Sequence, residues 1–207
     1  MPRVKVPRKS TAIDMTAMCD VSFLLLTFFI LTATARQPEP LPVDTPSSTT
    51  QIKQPTVDIA TLTVGQGKVF LGVTGPNVRI RTLELMGERY GIPFTPDEKN
   101  RFSLMETFGV PMGNLKQLIA MDSGERNKEG LQRGIPADSI GNNASELHWW
   151  IHNTRVATKE INDTALRFSI KGDSKEQYPE IKKIIDMLQK QKVNKFSLIT
   201  SLRGSDY

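Results

Sequence analysis

From Thr16 to Ala35 the chain reads TAMCDVSFLLLTFFILTATA, twenty residues with a single ionisable side chain, Asp20. At about 1.5 Å of rise per residue, a helix of this length crosses the ~30 Å hydrocarbon layer of a bilayer. A transmembrane helix is therefore predicted over 16–35. Its polar positions are ordered: Thr16, Asp20, Thr27 and Thr34 follow one another at steps of 4, 7 and 7. Steps of four and seven stay on one helical face, so a hydroxyl-and-carboxyl stripe runs along the span. Phe23, Leu24, Ile30 and Leu31 flank it. Residues 36–56 follow as a linker. Within it QPEPLPVDTPSSTTQIKQPT, with five prolines and a Ser/Thr run, has the composition of a semi-extended tether.

Beyond the tether, at 57–207, the periodicity changes to that of a folded domain. VDIATLTV (57–64) and VFLGV (69–73) are short β-branched segments joined by GQGK, which predicts a hairpin. GQGK lacks the spacing of a phosphate-binding loop. SELHWWIHNTRVATKEIND (145–163) reads as a helix and LRFSIKG (166–172) as a strand. In SKEQYPEIKKIIDMLQKQKV (174–193) Tyr178, Ile181, Ile185 and Leu188 share a helical face opposite the lysines. NKFSLITSL (194–202) is a last strand. This order predicts an α+β domain, a small sheet with helices on one face. Between its halves lies a large insertion, 74–143, with nine of the fourteen glycines and five prolines. TLELMGERYGI and NLKQLIAM in it read as short helices. An inserted subdomain, a partner surface and a loop-rich wrap all fit it.

Composition narrows the function classes. The 207 residues are 38% hydrophobic and 24% charged with a net charge of +5. Four of those charges, Arg3, Lys5, Arg8 and Lys9, sit in the first thirteen residues, which contain no acid. The remainder is nearly neutral, so no broad basic surface for nucleic acid is implied. The basic cluster precedes the span and only Arg36 follows it closely. The positive-inside rule then places residues 1–15 in the cytoplasm and the C-terminal domain across the membrane. A cleaved signal peptide, with Ala33 to Ala35 as its processing site, is the competing reading. The long basic region and the carboxyl at the head of the apolar run argue against it. Cys19 is the one cysteine, so no intrachain disulfide is available. It reads as a small apolar side chain, or one facing its own copy in a symmetric dimer.

His148 and His152 are the two histidines, spaced i, i+4 on the predicted helix. That spacing suits a metal, but Trp149, Trp150 and Ile151 stand between them where a metalloprotease would carry glutamate. Packing or surface roles are the favoured reading. No metal or cofactor site, no nucleophile triad and no enzyme activity are expected.

Asp20 has a sharper meaning. A carboxylate at the centre of a span costs ~2.5–3.5 kcal/mol on insertion scales, and such residues usually face protein and mark ion or proton paths. A group that becomes neutral on binding a proton can carry it through a low-dielectric gap. One helix cannot enclose a pathway, so partner helices are required. A passive membrane-anchored binding domain, with Asp20 serving only helix pairing, is the contrasting class.

The segment IDMTAMCDVSFLLLTFFILT (13–32) resembles the ExbD/TolR family, whose pattern is roughly [N/D]-x-T-P-x-x-D followed by an apolar run. LRFSIKGDSKEQYPEIKKIIDMLQKQKVNKFSLIT (166–200) resembles that family's strand–helix–strand. Thr16 and Asp20 match the motif's threonine and acid. Ala17 stands where proline is usual and Asp14 where asparagine is common. The resemblance implies a proton-motive-force-driven inner-membrane motor subunit, with Asp20 as the protonated residue and protons as the coupling ion. It implies a helix pair within a ring of ExbB/TolQ-like subunits and a homodimeric periplasmic domain. The client would be a TonB-like protein serving outer-membrane transport or, in a TolR-like alternative, peptidoglycan. The insertion 74–143 departs from the family's compact domain.

Overall fold

The computed structural model describes residues 15–33, 39–48, 56–128, 130–138 and 144–202. The chain divides into two compact units at Gln37/Pro38. In the first, helix α1 runs over Met15–Thr32 with no buried residue. Eighteen residues give about 27 Å, still enough for the hydrocarbon layer. The helix stops short of the predicted Ala35, with the Ala33 N–H donating a last bond to the Phe29 carbonyl at 2.9 Å.

The second unit is built on a five-stranded sheet. Its hairpin strands are β2 (Ile59–Gly65) and β3 (Lys68–Val73), after a two-residue β1 at Ser47–Ser48. Gln66 and Gly67 have φ of 55° and 67°, the paired positive values of a type I′ turn that matches strand twist. GQGK is thus the hairpin turn. Then come α2 (Pro76–Tyr90), α3 (Pro96–Ser103), β4 (Thr107–Phe108), α4 (Met112–Ala120) and α5 (Ser123–Arg126). The chain closes with α6 (Glu146–Asn162), β5 (Arg167–Gly172), α7 (Tyr178–Lys190), β6 (Phe196–Ile199) and β7 (Ser201–Leu202). Strand order is β4-β3-β2-β5-β6. β5 runs parallel to both β2 and β6, and β3 is antiparallel to β2 and β4.

Register aligns Leu62 with Leu71 and with Ile170, and Ala60 with Val73 and with Phe168. These side chains share one sheet face and join the main core with residues of α2, α6 and α7. The predicted α+β fold, with helices on one face of a sheet, is the one observed. Local signals place the helices. Ser145 caps α6 by accepting from the His148 N–H. Thr95 and Glu98 form a reciprocal capping box at α3. α7 begins at Tyr178 rather than 174, with Pro179 in its first turn. Its buried positions are Ile184 and Leu188, and Tyr178, predicted on the core face, is 70% exposed.

The insertion is not a separate subdomain. Val78, Leu83 and Met86 from α2, Phe102 from α3, and Leu115 and Ile119 from α4 enter the same core as Trp150 of α6. Phe108 and Trp150 meet edge-to-face with centroids 4.8 Å apart, and Phe102 lies 5.1 Å from Phe108. β4 extends the sheet. Gly109 then passes so close to the Phe70 ring that a Cβ has no room. Buried Gln132 fixes this crossing: its Oε1 accepts from the Gly109 N–H at 2.7 Å and its Nε2 donates to the Arg126 carbonyl at 2.9 Å.

The second sheet face is covered by part of the proline-rich segment. Leu41 is 4% exposed, and a Cβ at Gly65 would meet Val43 Cγ1 at 2.8 Å and Leu41 Cδ2 at 3.4 Å. Glu39 pairs with Lys171 at 2.6 Å. The Ser174 N–H donates to the Asp44 carbonyl, and the Ser201 N–H to the Pro46 carbonyl. Proline has no N–H to donate, so this strap attaches chiefly through its carbonyls and joins a ladder only where β1 pairs with β7. Residues 39–48, expected as tether, are thus docked. Between strap and sheet lies a cleft of about 490 Å³ lined by Leu41, Thr61, Thr63, Phe70 and Gly72.

Gly109→Ala is expected to destabilise the domain by ~1–3 kcal/mol through overpacking. Gly113→Ala, in the first turn of α4 with open space around it, is expected to be neutral or to stabilise by up to ~0.5–1 kcal/mol. Urea unfolding followed by circular dichroism measures both.

Candidate functional site on the apolar helix

Inside an apolar helix, hydroxyls and carboxyls face different problems. A hydroxyl can donate back to a carbonyl one turn earlier, as those of Ser22, Thr27 and Thr32 do in α1. Ser22 bonds Met18 O at 2.8 Å, Thr27 bonds Leu24 O at 2.9 Å and Thr32 bonds Phe28 O at 2.7 Å. A carboxylate needs donors, and past the first helical turn every backbone N–H is already committed. Asp20 is exposed and has no hydrogen bond or ion pair among the described residues.

Thr16, Asp20 and Thr27 all lie on α1. At 3.6 residues per turn they fall within about 60° of one another around the axis. Thr34, the last member of the predicted stripe, lies outside the described residues. Ser22 and Thr32 escaped the sequence reading because they stand off the stripe; their carbonyl bonds make them neutral occupants of an apolar helix. Cys19 is exposed beside Asp20.

α1 is one helix long and apolar enough to cross a membrane, placed near the N-terminus. It is a candidate span ahead of the α+β domain, and Asp20 is the one charged side chain in it. The family profile for biopolymer transport protein ExbD/TolR matches residues 7–203. The chain belongs to the ExbD/TolR family, a class of inner-membrane-anchored transport subunits of the motor type that generally work with ExbB/TolQ-type membrane partners. Comparisons with curated proteins and with solved structures give no significant match.

The two histidines occupy a different place, the outer side of α6. The Trp149 ring stands edge-on to His148 at 5.1 Å and to His152 at 5.9 Å. The Arg89 guanidinium of α2 lies over it, 2.9 Å from the centroid. Among the described residues no group of three or more His, Cys, Asp or Glu side chains could hold a metal ion. Partial burial, then His152, Arg89 and Lys190, hold the His148 imidazole below its ordinary value of 6.5.

A depressed histidine favours the neutral form in the fold. The unfolded chain then takes up the proton first, and stability falls as pH drops through the ordinary imidazole range. His148→Gln is expected to lose less stability than the parent between about pH 7.5 and about 5.5, the interval in which histidine titrates. Urea midpoints at the two ends measure the difference.

Proposed function

We propose that this chain is an ExbD-like, proton-motive-force-driven subunit of the bacterial inner membrane. Its N-terminus is cytoplasmic and its domain periplasmic. The observation that carries the proposal is Asp20, a carboxyl on an otherwise apolar helix with no partner among the described residues. Such a group is stable in hydrocarbon only when protonated, or when a neighbouring helix or water supplies donors. Alternation between those conditions is a proton cycle. Loading neutralises the helix face and lets it move against a ring of ExbB/TolQ-like helices, and release restores the charge.

One charge crossing 100 mV yields ~2.3 kcal/mol, enough to bias a two-state element about fiftyfold. Thr27, donating to Leu24, keeps its oxygen lone pairs for water. With Thr16 and Thr34 it hydrates the path to Asp20. A homodimer places two such helices within the ring. The domain passes the work to a TonB-like client that energises outer-membrane transport. The reading includes no cofactor other than the proton and no enzymatic step.

Asp20→Asn fills the same volume but cannot titrate in this range. It is expected to abolish client-dependent uptake and proton conduction in reconstituted vesicles while the variant still co-purifies with its ring subunit. Uptake retained by an assembled Asp20→Asn variant would remove the proton-carrier role. Thr27→Ala is expected to cause a smaller loss, because the backbone carbonyl it serves is already in the helix ladder.

A further inference from the structure

The outer side of α6 is built unlike the rest of the domain. Trp149 and Tyr90 present partly exposed amphipathic rings, Tyr90 at 37% exposure. Around them stand Arg89, His148, His152 and Lys190. Neither of the two permanent cations, Arg89 and Lys190, pairs with a carboxylate among the described residues, whereas Arg81, Lys159 and Lys183 elsewhere in the domain do. One acid does face the ridge, since burial and then the Glu146 carboxylate raise the Tyr90 hydroxyl above its ordinary value. Glu146 accepts from the Met112 N–H, Glu160 pairs with Arg81, and Glu88 and Asp186 make no ion pair among the described residues. Arg89 is immobilised on the indole face, leaving its N–H edge free to meet an anion.

Tryptophan and tyrosine with arginine and lysine beside them is the composition that settles at a bilayer's headgroup level, with rings toward the acyl chains and cations toward phosphate. The domain is covalently continuous with a membrane-spanning helix, so a lipid surface is present at high effective concentration. We infer that the Trp149 ridge of α6 docks on the anionic phospholipid surface of the membrane that anchors the chain, holding the domain there until a client draws it away. This rests on the anchoring reading of α1. An acidic segment of a protein partner is the competing occupant. The tether favours the lipid, since a protein would have to arrive from solution.

The two tryptophans make the test direct. Trp149 is on the ridge and Trp150 is 0% exposed in the core, so a quencher in the lipid reaches only the first. The full chain is placed in nanodiscs of brominated phosphatidylcholine, alone or with about one quarter phosphatidylglycerol. Each basic residue at an anionic surface shifts partition roughly fivefold. Quenching is therefore expected to rise at least about twofold with the anionic lipid, to vanish in Trp149→Phe, and to return to the zwitterionic level in Arg89→Glu/Lys190→Glu. The milder Arg89→Gln/Lys190→Gln pair is expected to follow the same direction and covers a folding failure of the reversal, judged by circular dichroism. Incorporation into the disc tests the anchor separately from the docking. Quenching that is equal in both lipids, or indifferent to both variant pairs, overturns the proposal. So does a Trp149 indole shift produced by hexaglutamate in uncharged discs with no quenching in anionic ones, which would assign the ridge to an acidic protein.

Discussion

Strand β2 is buried on both faces, and the rest of the domain follows from that constraint. Ala60, Leu62 and Val64 point to one side, Ile59 and Thr63 to the other, and all five are nearly inaccessible. A sheet whose central strand is apolar on both sides is stable only if both are covered. Helices α2, α6 and α7 cover the first. The second is closed by residues 39–44, which lay Leu41 and Val43 over Gly65, and by the Gly109 crossing over Phe70. Glycine at 65 and at 109 is the local condition for that closure, because each position is where another chain segment presses on the strand.

The covering of the second face also changes what the proline-rich segment is. Such a segment forms no core of its own, yet its prolines make it a good strap: extended, cheaper to order and with three fewer N–H groups to satisfy at Pro40, Pro42 and Pro46. Glu39 reaches Lys171 across 132 positions of sequence. The strap is thus joined to β5 through Glu39 and Lys171 and packed over Gly65 at the end of β2.

The anchor obeys the opposite economy. Where the domain satisfies the polar groups it buries with few exceptions, α1 satisfies hydroxyls internally and leaves Asp20 without a partner among the described residues. That contrast separates residue types an apolar helix satisfies by itself from a carboxyl whose donors must come from elsewhere. Thr27 and Asp20 share a face, but only the carboxyl lacks a local solution.

The apolar run, the β2–β3 turn and the β5–α7–β6 unit were legible because each is written in a local period: 3.6 for a helix, two for a strand, paired positive φ for the turn. Tyr178 was misplaced because a wheel through Tyr178, Ile181, Ile185 and Leu188 is as regular as one through Ile181, Ile184 and Leu188. Only the start of the helix at Tyr178 and the position of the sheet separate them. The insertion was opaque for the same reason. Its short, glycine- and proline-broken helices carry weak periodicity, and Phe102, Phe108 and Trp150 find one another across long stretches of chain. By itself the sequence determined an apolar helix with one carboxyl, and a hairpin and strand–helix–strand able to make a sheet. The tertiary structure alone decided that residues 74–143 complete the core and that part of the tether closes the second face. Coverage of a face depends on contacts between distant segments, which no local period encodes.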